Sequence, residues 1–254
     1  MQRFLLFQIQ GPLQAWGDAA VGEIRPAAAR PTRSGLIGLV AACLGVRRGE
    51  EDRLQGLSRG YGAAVREDAP GQRMLDYHTV QTTRQKKNRE FRRRADELGP
   101  FLDPGEDLAT VLSRREYLAN AAFTACLWER RDPPHPLEEL AEALQRPRFA
   151  PYLGRKSCPP GLPFAPSVGE YENPLDALAA YAPDRSVERL RDGRGSCSVF
   201  MDPDFPELQS DGACLRQVRD VPAHHGRRQF GLRSELVLSV DAPQCADKGG
   251  PVCS

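Results

Sequence analysis

The sequence has few of the residues that build metal centres or disulfide frameworks. Its seven cysteines are an odd number at wide spacings, and no two of them form a C-x-x-C pair. This pattern disfavours a structural zinc site and suits reduced thiols that pack as small hydrophobic groups. Only four histidines are present, so few side chains are available for acid–base chemistry near neutral pH. We therefore predict neither a metal nor a cofactor.

Long hydrophobic runs and a strong net charge are missing too. The run LIGLVAACLGV at 36–46 is about half the length that a membrane span needs. The apolar stretch at the N-terminus ends at a Gly-Pro break and is too short for a signal peptide. These features predict a cytoplasmic protein with no membrane contact. Since the net charge is only +1, any polyanionic partner has to be argued from where the charges lie.

The hydrophobic pattern predicts helices and strands in a mixed order. RFLLFQI at 3–9 barely alternates, which indicates a strand that is buried on both faces. Residues 31–46 predict a helix with Thr32 or Ser34 as its N-cap. Further elements are predicted as a hairpin of 61–67 and 74–80, one long strand at 115–128, a helix at 135–147, and strands at 197–201 and 234–240.

This order predicts an α+β protein with a ferredoxin-like or RRM-like β-α-β-β-α-β core and a β-rich C-terminal extension. We expect one domain over 1–240 and a disordered tail over 241–254. Such a core has an open sheet that often binds RNA. Residues 84–94 hold seven cations, one carboxylate and few apolar side chains, so the region 81–115 is predicted to protrude as a basic thumb.

Four segments concentrate positive charge. RPTRSG at 30–35 would place cations beside the free N–H groups of a helix start, which suits a phosphate; the alternative is an ordinary capped helix. The run at 84–94 and the turn GRKS at 154–157 could each be a solvated surface loop instead. HHGRRQF at 224–230 mixes cations with an aromatic ring. Together the four segments favour a phosphate backbone as partner.

Catalytic candidates are few. Tyr77 with His78, the pair His224 and His225, and Lys156 could in principle supply an acid and a base for RNA cleavage. However, strand alternation sends Tyr77 and His78 to opposite faces, which favours a structural histidine. The sequence contains no phosphate-binding loop, nucleophile elbow, dinucleotide fingerprint or paired-carboxylate motif.

Five segments, taken in order, resemble the CasD family, the fifth-numbered Cas proteins of type I-E CRISPR systems. They are GPLQAWGDAAVGEIRPAAARPTRSGLIGLVAACLG, LDYHTVQ, REYLANAAFTACLW, LGRKSCPP and DVPAHHGRRQF. The resemblance spans residues 1–240. It implies an RRM-like core with a thumb, in a non-catalytic subunit of the Cascade surveillance complex. That subunit caps the 5′ handle of the CRISPR RNA and contacts the backbone subunit CasC and the large subunit CasA. It meets target DNA only through the complex.

The resemblance also implies which residues face the RNA: the GRKS turn grips the handle and the thumb reaches over the guide. Trp16 could stack on a base or pack against the sheet. With the basic segments, the predicted RNA-binding residues are Trp16, Arg30, Thr32, Arg33, Ser34, Gln81, Arg84, Lys86, Lys87, Arg155, Lys156, Ser157, His225, Arg227 and Arg228. Two alternatives stay open. One is a metal-independent endoribonuclease that processes precursor RNA, as type I-C relatives do, and the other is a purely structural adaptor.

Overall fold

The computed structural model describes residues 1–18, 20, 22–83, 92–94, 108–191, 193, 195–209, 212–224 and 229–242. The strands are Gln2–Gln10 (β1), Leu13–Gln14 (β2), Ile24–Arg25 (β3), Tyr61–Ala69 (β4), Gln72–Thr83 (β5), Leu108–Ala119 (β6), Ala122–Glu129 (β7), Ser167–Tyr171 (β8), Ser196–Met201 (β9), Cys214–His224 (β10) and Gln229–Asp241 (β11). The helices are Arg33–Cys43 (α1), Glu51–Gly60 (α2), Leu137–Gln145 (α3), Pro174–Ala180 (α4) and Arg185–Leu190 (α5). None of these helices is long and apolar enough to cross a membrane.

The strands of the described residues form two sheets. The larger has seven strands in the order β10-β11-β9-β4-β7-β1-β8, and every neighbouring pair is antiparallel. In the smaller sheet, β5 pairs with β6 along its whole length, while β2 and β3 each add a short pairing to β6. Since a strand has only two edges, β2 and β3 share the edge of β6 that β5 leaves open.

The first strand lies at the centre of the core, as its sequence predicts. Phe4 through Ile9 are buried, with Leu5, Phe7 and Ile9 on one face of the sheet and Phe4 and Leu6 on the other. Helices α1, α2 and α3 cover the first face. Because both faces are apolar, this strand has no polar side to turn to water.

The second face of the sheet is also covered, so the predicted open sheet is wrong for the central strands. Phe4 and Trp128 pack there against Phe205, with ring centroids 6.2 and 5.3 Å from the Phe205 ring. Ala177 and Leu178 of α4 complete this second layer. Within the part of the chain that the structure describes, β1 and β7 are therefore covered on both faces.

Two of the predicted elements pair differently from expectation. The runs at 61–67 and 74–80 are strands, but they do not form a hairpin: β4 joins β7 and β9, whereas β5 joins β6 in the other sheet. The predicted long strand at 115–128 is two strands. It breaks at Asn120, whose φ of 56° turns the chain from the small sheet into the large one.

The predicted helix at 135–147 is α3, and the predicted C-terminal strands are β9 and part of β11. These strands are not an appendage to a separate core. β9 is hydrogen-bonded to β4, and β11 to β9, so the C-terminal strands extend the same large sheet. The predicted tail lies outside the described residues from 243 onwards.

Candidate nucleic-acid interface

The GRKS turn (Gly154–Ser157) is held tightly against the N-terminal part of the chain. Gly154 has a φ of +86°, and any side chain there would overlap the carbonyl of Ala15. The Ala15 N–H donates to the Leu153 carbonyl at 3.0 Å, and the Leu153 N–H donates to the Cys158 carbonyl at 2.7 Å. Only glycine combines this backbone conformation with so close an approach. The turn is therefore a fixed feature of the surface.

Within the turn, the Arg155 side chain points inward, whereas the side chains of Lys156 and Ser157 point outward. Its guanidinium donates to the carbonyl of Glu116 at 3.3 Å and to the carbonyl of Arg25 at 3.1 Å, and it lies 4.7 Å from the centre of the Tyr117 ring. Lys156 and Ser157 are exposed. Arg155 thus ties the turn to the small sheet, whereas Lys156 and Ser157 face solvent.

At the start of α1, side chains of the protein itself accept hydrogen bonds from the free N–H groups. Thr32 is the N-cap, as predicted, because its Oγ1 accepts from the Gly35 N–H at 3.2 Å and lies 3.3 Å from the hydroxyl of Ser34. The carboxylate of Asp220 accepts from the Arg33 N–H at 2.8 Å. A protein carboxylate therefore occupies the position where we predicted a phosphate.

The Arg33 side chain likewise pairs with buried groups of the protein. Asp202 accepts hydrogen bonds from the Ala63 N–H at 3.1 Å and from the guanidinium groups of Arg33 at 2.9 Å, Arg130 at 2.8 Å and Arg233 at 3.1 Å. Arg33 also donates to the carbonyls of Ser58 and Tyr61, both at 2.7 Å. We call Arg33, Arg130, Asp202, Asp220 and Arg233 the Asp202 network.

Asp220 is the second acid of this network. It accepts two hydrogen bonds from Arg233, at 2.6 and 3.0 Å. Burial alone would raise the pKa of Asp220, but Arg233 and the Arg33 N–H outweigh that effect and hold this pKa below its usual value. Each arginine of the network is paired with a carboxylate: Arg33 with Asp202, Arg130 with Asp202 and also Asp204, and Arg233 with both acids and also Glu235.

Arg30 is buried as well. It pairs with Glu235 and lies 4.2 Å from the centre of the Phe200 ring. Burial lowers the pKa of its guanidinium, against the raising effect of Glu235. Arg30 and Arg33, which we predicted to bind phosphate, are thus both enclosed and paired with protein carboxylates.

Trp16 is a core residue and not a base-stacking one. Only 1% of its surface is exposed, and its Nε1–H donates to Gln14 at 2.8 Å. Gly35 of α1 lies so close that a side chain there would come within 2.9 Å of the indole ring. Of the two alternatives that the sequence left open, packing is correct.

The small sheet carries the remaining predicted residues that can be placed. Gln81 of β5 is exposed and pairs with Thr110 of β6. Arg84, Lys86, Lys87, His225, Arg227 and Arg228 lie outside the described residues. Tyr77 pairs with Arg114, and His78 pairs with Ser113. Tyr77 and His78 therefore lie on opposite faces of the sheet, as alternation predicts.

Sequence reasoning missed Arg114 and Ile24 on this sheet, and it named Tyr77 only as a catalytic candidate. Arg114 is exposed beside Tyr77, and Ile24 of β3 lies at its other side. Finding this group requires the register of β5, β6 and β3, which no pattern within a single strand specifies.

Comparison with known proteins agrees with this architecture. The model of the family described as CRISPR-associated protein (Cas_Cas5) matches residues 4–234. "CRISPR system Cascade subunit CasD" of Escherichia coli (strain K12) is 37% identical over 191 residues, which is 72% of this chain and 79% of that protein.

Two solved structures are similar along nearly the whole chain. A chain of a "CRISPR RNA-guided surveillance complex" has a TM-score of 0.63 and 28% identity, and the match covers 94% of this chain and 89% of that one. A "Crystal structure of Cas protein" has a TM-score of 0.58 and 27% identity, with 94% and 95% covered. The chain therefore belongs to the CRISPR-associated protein (Cas_Cas5) family.

Proposed function

We propose that the protein is a subunit of a Cascade-type CRISPR surveillance complex, where it holds the 5′ handle of the CRISPR RNA without cutting it. The observation that carries this proposal is the exposed pair Lys156 and Ser157 on a turn that the rest of the fold holds rigidly. The similarity to a Cascade subunit supplies the context. Its partners would be the CRISPR RNA, the backbone subunit CasC and the large subunit CasA, and target DNA would be reached only through the complex.

We assign the ferredoxin-like core to four strands of the large sheet. Along the chain, β1, α1, β4, β7, α3 and β8 follow one another as β-α-β-β-α-β, with α2 inserted after α1. In space these strands lie in the order β4-β7-β1-β8, all antiparallel. The long pair β5–β6 interrupts this core between β4 and β7, and we assign it to the base of the thumb.

RNA recognition would need no chemical step. The ammonium group of Lys156 and the hydroxyl of Ser157 suit a phosphate oxygen, and the amide of Gln81 could read the edge of a splayed base. The phosphate contacts should weaken as salt rises, because bound cations on the RNA are released when the protein binds. Arg84, Lys86, Lys87, His225, Arg227 and Arg228 remain predicted contacts of the thumb and of the C-terminal turn.

The nuclease alternative is less well supported. A general acid and a general base must both reach one ribose–phosphate unit. Tyr77 and His78 lie on opposite faces of the same sheet, so they could not meet at one bond.

The test is to incubate the purified protein with end-labelled repeat RNA, and separately with mature guide RNA, in buffer containing EDTA. A native gel reports binding and a denaturing gel reports cutting. We expect a shift with intact RNA that is lost when the 5′ handle is scrambled. The double change Lys156→Ala and Ser157→Ala should weaken this shift, whereas Arg189→Ala, an exposed cation on α5, should not. Specific cleavage that depends on His78 or Tyr77 would contradict the proposal.

If the isolated chain binds neither RNA, the same variants are compared after co-expression with CasC. The readout is then the amount of guide RNA that copurifies. Equal RNA content for the double variant and the unchanged protein would reject the assignment of the GRKS turn.

A further inference from the structure

One face of the small sheet carries an exposed aromatic ring beside a guanidinium group. The pairing of Tyr77 with Arg114 and of Ile24 with Arg114 places these three residues in one row across β5, β6 and β3. Residues that are directly paired in neighbouring strands point to the same side of a sheet. Leu75 lies on this face too, in the next row, where it pairs with Glu116.

These apolar groups are far more exposed than is usual for their type. Tyr77 is 59% exposed, Leu75 is 62% exposed and Ile24 is 48% exposed. Large apolar side chains that cluster on a surface usually mark a place where something binds. The occupant has to be inferred from the chemistry of the residues around them.

The neighbours of the ring favour a nucleobase over an apolar protein surface. Beyond the Tyr77 row, the same face continues with exposed Thr79, which pairs with the half-exposed Leu112, and then with exposed Gln81 and Thr110. The apolar part therefore extends from Leu75 to Leu112, and the side chains beyond it offer hydrogen bonds. The Arg114 guanidinium can stack on a base or contact its phosphate.

The charge of the adjoining segment also favours a nucleic acid as the occupant. The chain that leaves β5 runs into residues 84–94, where seven cations stand against one carboxylate. A polyanion is the partner that such a segment attracts most strongly.

The geometry points to a base-stacking platform for single-stranded RNA, formed by Ile24, Leu75, Tyr77 and Arg114. We call this group the Tyr77 platform. An unstacked base lies on the Tyr77 ring, with Arg114 beside it and the two aliphatic side chains at its edges. This inference rests on the proposed function, since it assumes that RNA of the complex passes over the small sheet. It adds a contact that is tolerant of sequence, because every base has a π-face.

The test uses the assembled complex with guide RNAs that carry one abasic nucleotide at successive 5′ positions. We expect Tyr77→Ala to weaken RNA binding roughly 5- to 140-fold, the range seen when one stacked base loses its ring. Tyr77→Phe should bind like the unchanged protein, because the ring is retained. His78→Ala is the matched control, since His78 is the next residue and lies on the opposite face.

The decisive observation is non-additivity at one position. If a base sits on Tyr77, removing that base should weaken binding by the unchanged protein and have little further effect on Tyr77→Ala. Strict additivity at every position tested would overturn the platform while leaving the proposed function intact.

Two other outcomes would also reject it. If Tyr77→Ala prevents assembly with the protein subunits while the free chain binds RNA normally, the face is a protein contact. If the unchanged protein holds no RNA, alone or assembled, the proposed function fails as well as the platform.

Discussion

Arg155 gives the sharpest test of how the GRKS turn works. Sequence alone suggests that Arg155 and Lys156 both grip phosphate, whereas the structure turns Arg155 toward the carbonyls of Glu116 and Arg25. We therefore expect Arg155→Ala to loosen the turn, and Lys156→Ala to remove a phosphate contact and leave the turn in place. The two variants should weaken RNA binding for different reasons.

The size of the Arg155 effect follows from its contacts. Hydrogen bonds from a charged donor contribute about 1.5–3 kcal/mol each when buried, and less at a half-exposed side chain such as this one. The contact with the Tyr117 ring adds about 0.5–1 kcal/mol at an accessible site. Arg155→Ala should therefore cost about 2–4 kcal/mol of the attachment between the turn and the sheet.

The assay is RNA binding measured over a series of salt concentrations. Lys156→Ala should lower the slope of log K against log salt by about 0.7, the value for one phosphate contact on a single strand. Arg155→Ala should weaken binding and leave that slope unchanged. Arg155→Lys should not restore binding, because an ammonium group cannot reach two carbonyls as the planar guanidinium does. A slope that falls by about 0.7 in Arg155→Ala, with rescue by lysine, would refute this reasoning.

Three further predictions concern stability and the turn. Asp202→Ala should lower the free energy of unfolding by about 3–5 kcal/mol in urea titrations, because it leaves the buried Arg33 guanidinium without a carboxylate partner. Asp204→Ala, at a more exposed site, should cost less, and equal losses would contradict this. Asp220 has a lowered pKa when folded, so its contribution is present above its unfolded pKa of about 3.9 and is lost as pH falls through the folded value. Asp220→Asn should therefore flatten the acid limb of the stability curve, and an unchanged limb would count against it. Gly154→Ala should abolish handle binding, whereas Gly22→Ala, also at positive φ but in open space, should have little effect; similar behaviour of the two would argue against the packing described for the turn.

The elements that the sequence predicted correctly are those whose signal is local. β1 is recognisable because its apolar residues do not alternate, and α1 because Thr32 and the following apolar residues specify a capped helix. The pairing of strands is not local. Nothing between 61 and 80 states that β4 will join β7 while β5 joins β6, since each partner lies farther along the chain.

In the candidate site, too, local features could be predicted from the sequence and long-range contacts could not. The sequence indicates a turn at Gly154, and the structure requires glycine there because the Ala15 carbonyl lies so close. The direction of Arg155 is not, since its acceptors are backbone carbonyls on β6 and β3. Arg30 and Arg33 look like phosphate ligands until Glu235 and Asp202 are found beside them, and those acids lie 205 and 169 residues away.

That separation has a consequence for how the chain is made. The first helix is synthesised early, but the carboxylate that receives its Arg33 N–H is 187 residues downstream. Until Asp202 and Asp220 have been synthesised, the Arg33 guanidinium has no carboxylate to pair with. Burying this charge without a partner would be strongly unfavourable. The start of α1 therefore stays exposed to water until the C-terminal strands have been synthesised and can pack against it. The first helix to be synthesised is therefore among the last whose N-terminus can be buried.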